Sequence, residues 1–270
     1  MSLTASRFAV AVLSSAVALL SSGSTSSATV VFADHYASRP DNQDIFNTAP
    51  TTTSPGVGTY GAVLTFPYGS RVDPFSVMGK TLKFNTSSGA DPQMMYLPAP
   101  YVFGADKVRV TVRAAFDEFN AGGFNNFAIG FAKYDLGVNG NIFTDHLLVQ
   151  QNQVELHFPG TNTTTSVPYS FSPKTFYQFE LMYDPSKAGI AGLQPYALAI
   201  NGVDVPISVT GATTYSPLTS FDYVAFGGRF SNGNTSRYLT DFSLETFAVP
   251  EPTSIALALG ATALTLRRKR

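Results

Sequence analysis

The ten residues KVRVTVRAAF, 107–116, alternate in character along their length. Val108, Val110, Val112 and Phe116 fall on one face, with Lys107, Arg109, Thr111 and Arg113 opposite. A period of two is the mark of a strand with one buried face. Working outward, Phe127, Ile129 and Phe131 alternate after Gly122-Gly123. Tyr177, Phe179, Leu181 and Tyr183 alternate with Gln178, Glu180 and Met182. Further strand candidates lie at 60–66, 81–84, 94–97, 221–226 and 237–247. Between 29 and 248 there is no sustained 3.6-residue period, and Gly, Pro, Asn and Ser recur at short intervals. The fold class is all-β: many short antiparallel strands in one β-sandwich, with no Pro- or Ser-rich linker to divide it. The stretch 37–59 reads as a loop, a flap or mobile insertion.

Two hairpins can be placed by register. Residues 196–200 and 203–207 flank Asn201-Gly202, a dipeptide in which both residues tolerate positive φ, and Pro206 puts the second arm at an edge or strand end. Residues 146–150 and 153–158 flank Gln151-Asn152. A two-residue turn there pairs His146 with His157, Leu148 with Glu155 and Gln150 with Gln153. Leu147, Val149, Val154 and Leu156 then face inward, while His146, Gln150, Gln153, Glu155 and His157 share the other face.

The two ends have a different composition. Arg7 precedes an apolar run at 8–20 and a small-residue stretch ending Ser26-Ser27-Ala28, the n-, h- and c-region order of a secretory signal peptide. The apolar run is short for a transmembrane helix, so residues 1–28 are expected to be removed after Ala28. At the other end Pro250-Glu251-Pro252 leads into an Ala- and Leu-rich run, 255–266, and then Arg267-Arg268-Lys269-Arg270. That run spans only about 18–20 Å as a helix, against a hydrocarbon core of about 30 Å. The basic cluster would stay on the cytoplasmic side during export. A signal helix and a short C-terminal hydrophobic helix thus flank the body, giving segments 1–28, 29–248 and 249–270.

The tail resembles the PEP-CTERM sorting signal of bacterial exported proteins in three ordered elements: the Pro-Glu-Pro motif, the apolar run and the terminal basic cluster. The resemblance implies recognition by an exosortase, a membrane transpeptidase-like enzyme, and removal near the motif, so that membrane contact is transient. The body resembles the concanavalin A-like jelly-roll family, including laminin-G-like modules. The pattern is carried by Gly130-Phe131, the segment 179–184, Ile200-Asn201-Gly202 and a closing strand bearing Asp241. The Trp that usually opens the middle strand of those modules is missing, leaving Phe176 or Tyr177 in its place.

Composition excludes several chemistries. The chain has 270 residues, 22 Phe and 13 Tyr, but no Cys, so it has no disulfide framework, thiolate metal site or Cys nucleophile. Its net charge of −1 is a near-cancellation. Without 1–28 and 249–270 the body keeps twelve basic and seventeen acidic residues, a net charge of −5 with no basic patch for nucleic acid. No Gly-x-Ser-x-Gly elbow occurs, and His35, His146 and His157 lack zinc-ligand spacing.

Jelly-roll relatives include glycosidases, which need two carboxyls about 5–5.5 Å apart for retention. No Glu-x-Asp-x-Glu run occurs. Asp117 and Glu118 are adjacent, which on a strand sends them to opposite faces; Glu180 and Asp184 share a face only if the strand continues through Asp184-Pro185. Calcium is the one cofactor with a candidate place, because Asp135, Asn139, Asn141 and Asp145 could offer hard oxygens from one loop. That loop lacks the EF-hand arrangement, and an Asn/Gly-rich connection between strands accounts for it equally. The polar hairpin face is the candidate carbohydrate-binding site, since planar side chains fixed on a sheet can bond sugar hydroxyls from several directions. A plain solvated sheet face has the same alternation. The expected protein is therefore exported to the bacterial envelope, surface or matrix, is not an enzyme, and binds or organises extracellular polysaccharide. A secreted glycoside hydrolase or lyase and a self-assembling coat protein are the alternatives.

Overall fold

The computed structural model describes residues 28–63, 71–85, 93–102, 104–117, 127–132, 143–158, 163–188, 190, 193–207, 218–228 and 236–248. Among them sixteen strands form: β1 (Ala28–His35), β2 (Thr52–Thr53), β3 (Gly61–Val63), β4 (Arg71–Ser76), β5 (Gly79–Asn85), β6 (Gln93–Val102), β7 (Lys107–Phe116), β8 (Phe127–Ala132), β9 (Phe143–Gln150), β10 (Gln153–Phe158), β11 (Thr163–Pro168), β12 (Tyr177–Tyr183), β13 (Tyr196–Ile200), β14 (Val203–Val205), β15 (Ser220–Gly228) and β16 (Ser236–Phe247). The helical turns among these residues are two short 3₁₀ turns, Tyr36–Ser38 and Pro185–Lys187. Residues 28–247 make one compact unit.

Two antiparallel sheets result. The first runs β14-β13-β12-β7-β16-β1-β2, with β5 joined to β16 and β4 to β5; the second runs β11-β10-β9-β8-β15-β6-β3. β16 is the spine of the first sheet. On one side it pairs with β7 from Arg237↔Phe116 to Phe247↔Lys107. On the other it pairs with β5 through Ser236–Leu239 and with β1 from Asp241 onward. The register shift between Leu239 and Asp241 is a bulge, and it marks the point where one neighbour is exchanged for the other.

The two sheets bury their facing sides against each other. Val108, Val110 and Val112 of β7 are buried as the alternation requires, as are Phe179, Leu181 and Tyr183 of β12. Aromatic rings bridge the layers: Phe226 of β15 meets Phe242 of β16 at 5.0 Å, and Phe116 of β7 meets Phe127 of β8 at 5.7 Å, both edge-on. This is an all-β antiparallel sandwich whose core is closed by rings instead of crosslinks.

Both register predictions hold in the backbone. Asn201 (φ 53°) and Gly202 (φ 75°) turn β13 into β14, and β14 is an edge strand that stops before Pro206. β9 and β10 pair as Gln150↔Gln153, Leu148↔Glu155 and His146↔His157.

The stretch 37–59 departs from the expected flap. Tyr36, Ile45 and Tyr60 are fully buried, and the inward-facing Asp34 of β1 anchors the segment through Arg39. The Arg39 guanidinium donates to both Asp34 carboxylate oxygens (Nε–Oδ1 2.8 Å, Nη2–Oδ2 2.6 Å), to Thr48 Oγ1 at 3.0 Å and to the Ala49 carbonyl. A chain tied at its middle to a buried carboxylate is an integral part of the fold. β6 also outruns its expected end, passing through Pro98 and Pro100. β3 flanks only Met94–Tyr96. Beyond that point the missing prolyl N–H groups fall where no β3 partner stands, and the Pro98 carbonyl accepts from Gly58 N at 2.8 Å. β1, β4 and β11 are strands that the alternation had not marked.

The expected signal and C-terminal helices, with Pro250, Glu251, Pro252, Arg267, Arg268, Lys269 and Arg270, lie outside the described residues. Among the described residues no helix is long and apolar enough to cross a membrane.

Candidate functional site

The outer face of the β9–β10 hairpin carries the candidate residues because its inner face is committed to the core. Leu147, Val149, Val154 and Leu156 are fully buried, which forces their neighbours outward. The turn is braced from a third segment: Tyr169 N donates to the Asn152 carbonyl at 3.0 Å and Phe171 N to that of Gln151 at 3.1 Å. Phe171 is itself held in a ring cluster with Phe116, Tyr177 and Phe179.

The outward side chains are wired to one another. Gln153 Nε2 donates to Gln150 Oε1 at 3.1 Å and to Glu155 Oε1. His157 Nε2 lies 2.7 Å from Glu155 Oε2. The His157 ring stacks on that of His146 at 5.3 Å and 25°. Glu155 therefore sits between an amide donor and an imidazole, with its side chain 15% exposed and that of His157 30% exposed. His146 is buried, so of the five expected residues four reach solvent and the fifth serves as the floor beneath His157. A row that has already lost its rotamer freedom loses less entropy on meeting a ligand.

Beside this row the sheet drops to small side chains, which the sequence reading missed. His146 and Leu148 lie opposite Gly130 and Ala128 on β8, and these lie opposite Ala225 and Gly227 on β15. Ala128, Ala132 and Ala225 form a separate buried cluster under Leu148, Tyr96 and Tyr223. Tyr96 and Tyr223 meet edge-on at 4.9 Å. The signal was available as small residues at period two in FAIGFA and VAFGG.

Several other polar groups pair among themselves. On the outer face of the first sheet Arg109 bridges Glu180 (3.1 Å) and Glu245, and Arg113 lies over the Phe176 ring at 4.8 Å. Asp184 does not join Glu180. It ends β12, accepts from Ser186 N and Oγ, and meets Lys107 Nζ at 3.2 Å. Burial works against its charge, but Ser186 and Lys107 outweigh it and hold the carboxyl below its ordinary range. Asp241 pairs with His35 Nδ1 at 2.7 Å. Tyr36 and Tyr60 bond through their hydroxyls at 3.2 Å, and burial raises both phenols well above their ordinary value. Of the calcium candidates, Asp145 falls within β9 and Asp135, Asn139 and Asn141 lie outside the described residues. Among the described residues no group of three His, Asp or Glu side chains could hold a metal.

No family model matches the sequence, and no curated protein matches it. Solved structures overlap it at 9–12% identity. Peanut lectin in complex with a 9mer peptide overlaps 76% of this chain and 97% of its own (10% identity, TM-score 0.48). A botulinum neurotoxin type C structure, described as entering cells through interaction with two ganglioside molecules, overlaps 82% of this chain (9% identity, TM-score 0.47). A sialidase overlaps 62% of it (12% identity, TM-score 0.42). The chain spans 15% of the sialidase and half of the neurotoxin chain. Each is a likeness of fold alone.

Proposed function

We propose that this chain is an exported, non-catalytic protein of the bacterial envelope or extracellular matrix that binds polysaccharide along the outer face of β9 and β10. The observation that carries this reading is the pre-ordered row Gln150, Gln153, Glu155 and His157. The Gln153 amide and the His157 imidazole are each hydrogen-bonded to the Glu155 carboxylate, so three planar polar groups on alternate residues of β10 form one contiguous patch that can meet the hydroxyls of a sugar. The body's net charge of −5 favours a neutral polymer over a polyanion. The tail's resemblance to an exosortase substrate supports delivery to the surface with transient membrane contact.

The rival reading, a jelly-roll glycoside hydrolase or lyase, has less support. Glu180 and Glu245 are both engaged by Arg109, and Glu155 is hydrogen-bonded to Gln153 and His157 with no second carboxylate in the row. Affinity electrophoresis through gels containing native exopolysaccharide tests the proposal. Glu155→Ala and His157→Ala are each expected to abolish the retardation shown by the parent chain. Undiminished retardation removes the row as the site, and release of reducing ends from the polymer favours the hydrolase.

A further inference from the structure

The two sheets end on β14 and β2, and on β11 and β3. Three of these edge strands are short: β2 has two residues, β3 three, and β14 three, with Asp204 inside it and Pro206 just beyond. β4, outside β5, is longer, but it carries Arg71, Asp73 and Pro74 and breaks register between Asp73 and Ser76. Its far flank is also engaged, since Asn42 N donates to Val72 O at 2.8 Å and Val72 N to Gln43 O at 3.0 Å. Short, charged, Pro-bearing or covered edges keep a sheet from pairing with other chains. β11 has little of this protection. Its sequence, TTTSVP, contains no charge, and it pairs with β10 in unbroken register from Thr163↔Phe158 to Pro168↔Gln153. Among the described residues no strand lies on its other side, and Ser166 is exposed.

The ladder fixes where the backbone groups of β11 point. Tyr169 N, just past the strand, donates to the Asn152 carbonyl at 3.0 Å. Antiparallel alternation then turns the N–H and C=O of residues 163, 165 and 167 toward β10, and those of Thr164 and Ser166 away from it. Pro168 falls on the outward side, where its missing N–H takes no bond from β10.

Two copies of this edge complement each other. Laid antiparallel about a twofold axis at Thr165, Thr164 of one copy faces Ser166 of the other, and all the outward N–H and C=O groups of 164 and 166 pair. The next register along sets Thr164 against Pro168 of the second copy, which has no N–H to return. The strip brings no charge against itself. Glu155 lies opposite Ser166, and His157 opposite Thr164, so Glu155 of one copy stands three strand spacings, about 14 Å, from His157 of the other. A body of net charge −5 can thus meet its copy here without setting carboxylates side by side.

We propose that the β11 edge is the interface of a twofold dimer in which the seven-stranded sheets of two copies continue into one another. Each copy has one such edge, so the assembly closes at two. The outer faces of both β9–β10 hairpins then share one surface, with their Gln153-Glu155-His157 rows antiparallel across the axis. The pairing does not depend on what those rows bind.

The chain has no Cys, so one introduced thiol reports its own neighbours. At the axis the two Thr165 residues form a non-hydrogen-bonded pair with Cα atoms about 4.5 Å apart, within reach of a disulfide. Full-length Thr165→Cys and Val203→Cys, the latter exposed on the β14 edge, are oxidised with diamide in mild detergent and compared on non-reducing gels. Thr165→Cys is expected to give about tenfold more disulfide dimer, because pairing makes the reaction intramolecular. Adding Ser166→Pro removes one outward N–H, leaves the β10 ladder intact and is expected to abolish the excess. Should circular dichroism show that variant unfolded, Ser166→Lys replaces it, setting two ammonium groups near the axis with the same loss expected. Equal dimer from Thr165→Cys and Val203→Cys marks chance collision or contact through the termini and overturns the proposal. An excess that survives the Ser166 change overturns the strand pairing. No dimer from Thr165→Cys also overturns it and leaves the edge to a foreign strand.

Discussion

Ala28 pairs with Phe247 across β1 and β16, so the first and last strand residues of the body lie side by side at one end of one sheet. The two segments read as export and sorting signals are thus joined to the body at adjacent points outside the ladder. Their removal costs at most one terminal pair. A chain consisting of residues 29–248 is expected to fold with a Tm within about 4 °C of the longer form, since loss of a frayed pair is worth well under 1 kcal/mol. Thermal unfolding followed by circular dichroism checks this. A drop of 10 °C or more would mean that the ends belong to the fold.

The buried Asp34–Arg39 pair gives a second prediction. Its oxygens and nitrogens are almost fully enclosed, so removing one partner strands a buried charge. Asp34→Ala or Arg39→Met is expected to cost about 3–5 kcal/mol, and the double variant less than the sum of the singles. Urea unfolding of the four proteins measures the cycle. Additive losses would show that the two groups act independently.

The Asn201-Gly202 turn gives a third. Gly202 holds φ 75°, a conformation that costs an L side chain about 1 kcal/mol, while a Cβ there would meet no atom within 4 Å. Gly202→Ala should therefore destabilise the body by about 1 kcal/mol through backbone conformation alone, read as a lower urea midpoint with an unchanged m-value. No loss would mean that the turn can adopt another type.

Asp184 sets an acid limb. Its carboxyl is held below the unfolded value of 3.8, so the unfolded chain takes up this proton first as pH falls. The stabilisation is complete well above pH 3.8 and is lost as pH drops through the lower, folded value. Asp184→Asn is expected to flatten the decline in stability below about pH 4 relative to the parent, at some cost at neutral pH. Parallel acid limbs for the two proteins would place the titration elsewhere.

The sequence was most legible where one strand's alternation met one turn. The β9–β10 and β13–β14 registers follow from period two plus a two-residue loop, and Val108, Val110 and Val112 could face the core in only one way. It was least legible where a residue's surroundings are assembled from distant segments. Arg39 looks like a surface cation until Asp34, Thr48 and Ala49 converge on it. β6 reads as ending before Pro98 because local rules do not say that its flank past Tyr96 lacks β3. The burial of His146 escapes alternation, which assigns a side but not a depth.

The most direct measurement of the polysaccharide-binding claim is a ¹⁵N-edited NMR titration of residues 29–248 with oligosaccharides cut from the organism's own exopolysaccharide. The side-chain amides of Gln150 and Gln153, the His157 imidazole and the backbone of β10 are expected to shift together, with the Glu155→Ala variant silent at the same concentrations. Shifts confined to another face, or none at saturating sugar, would contradict the account.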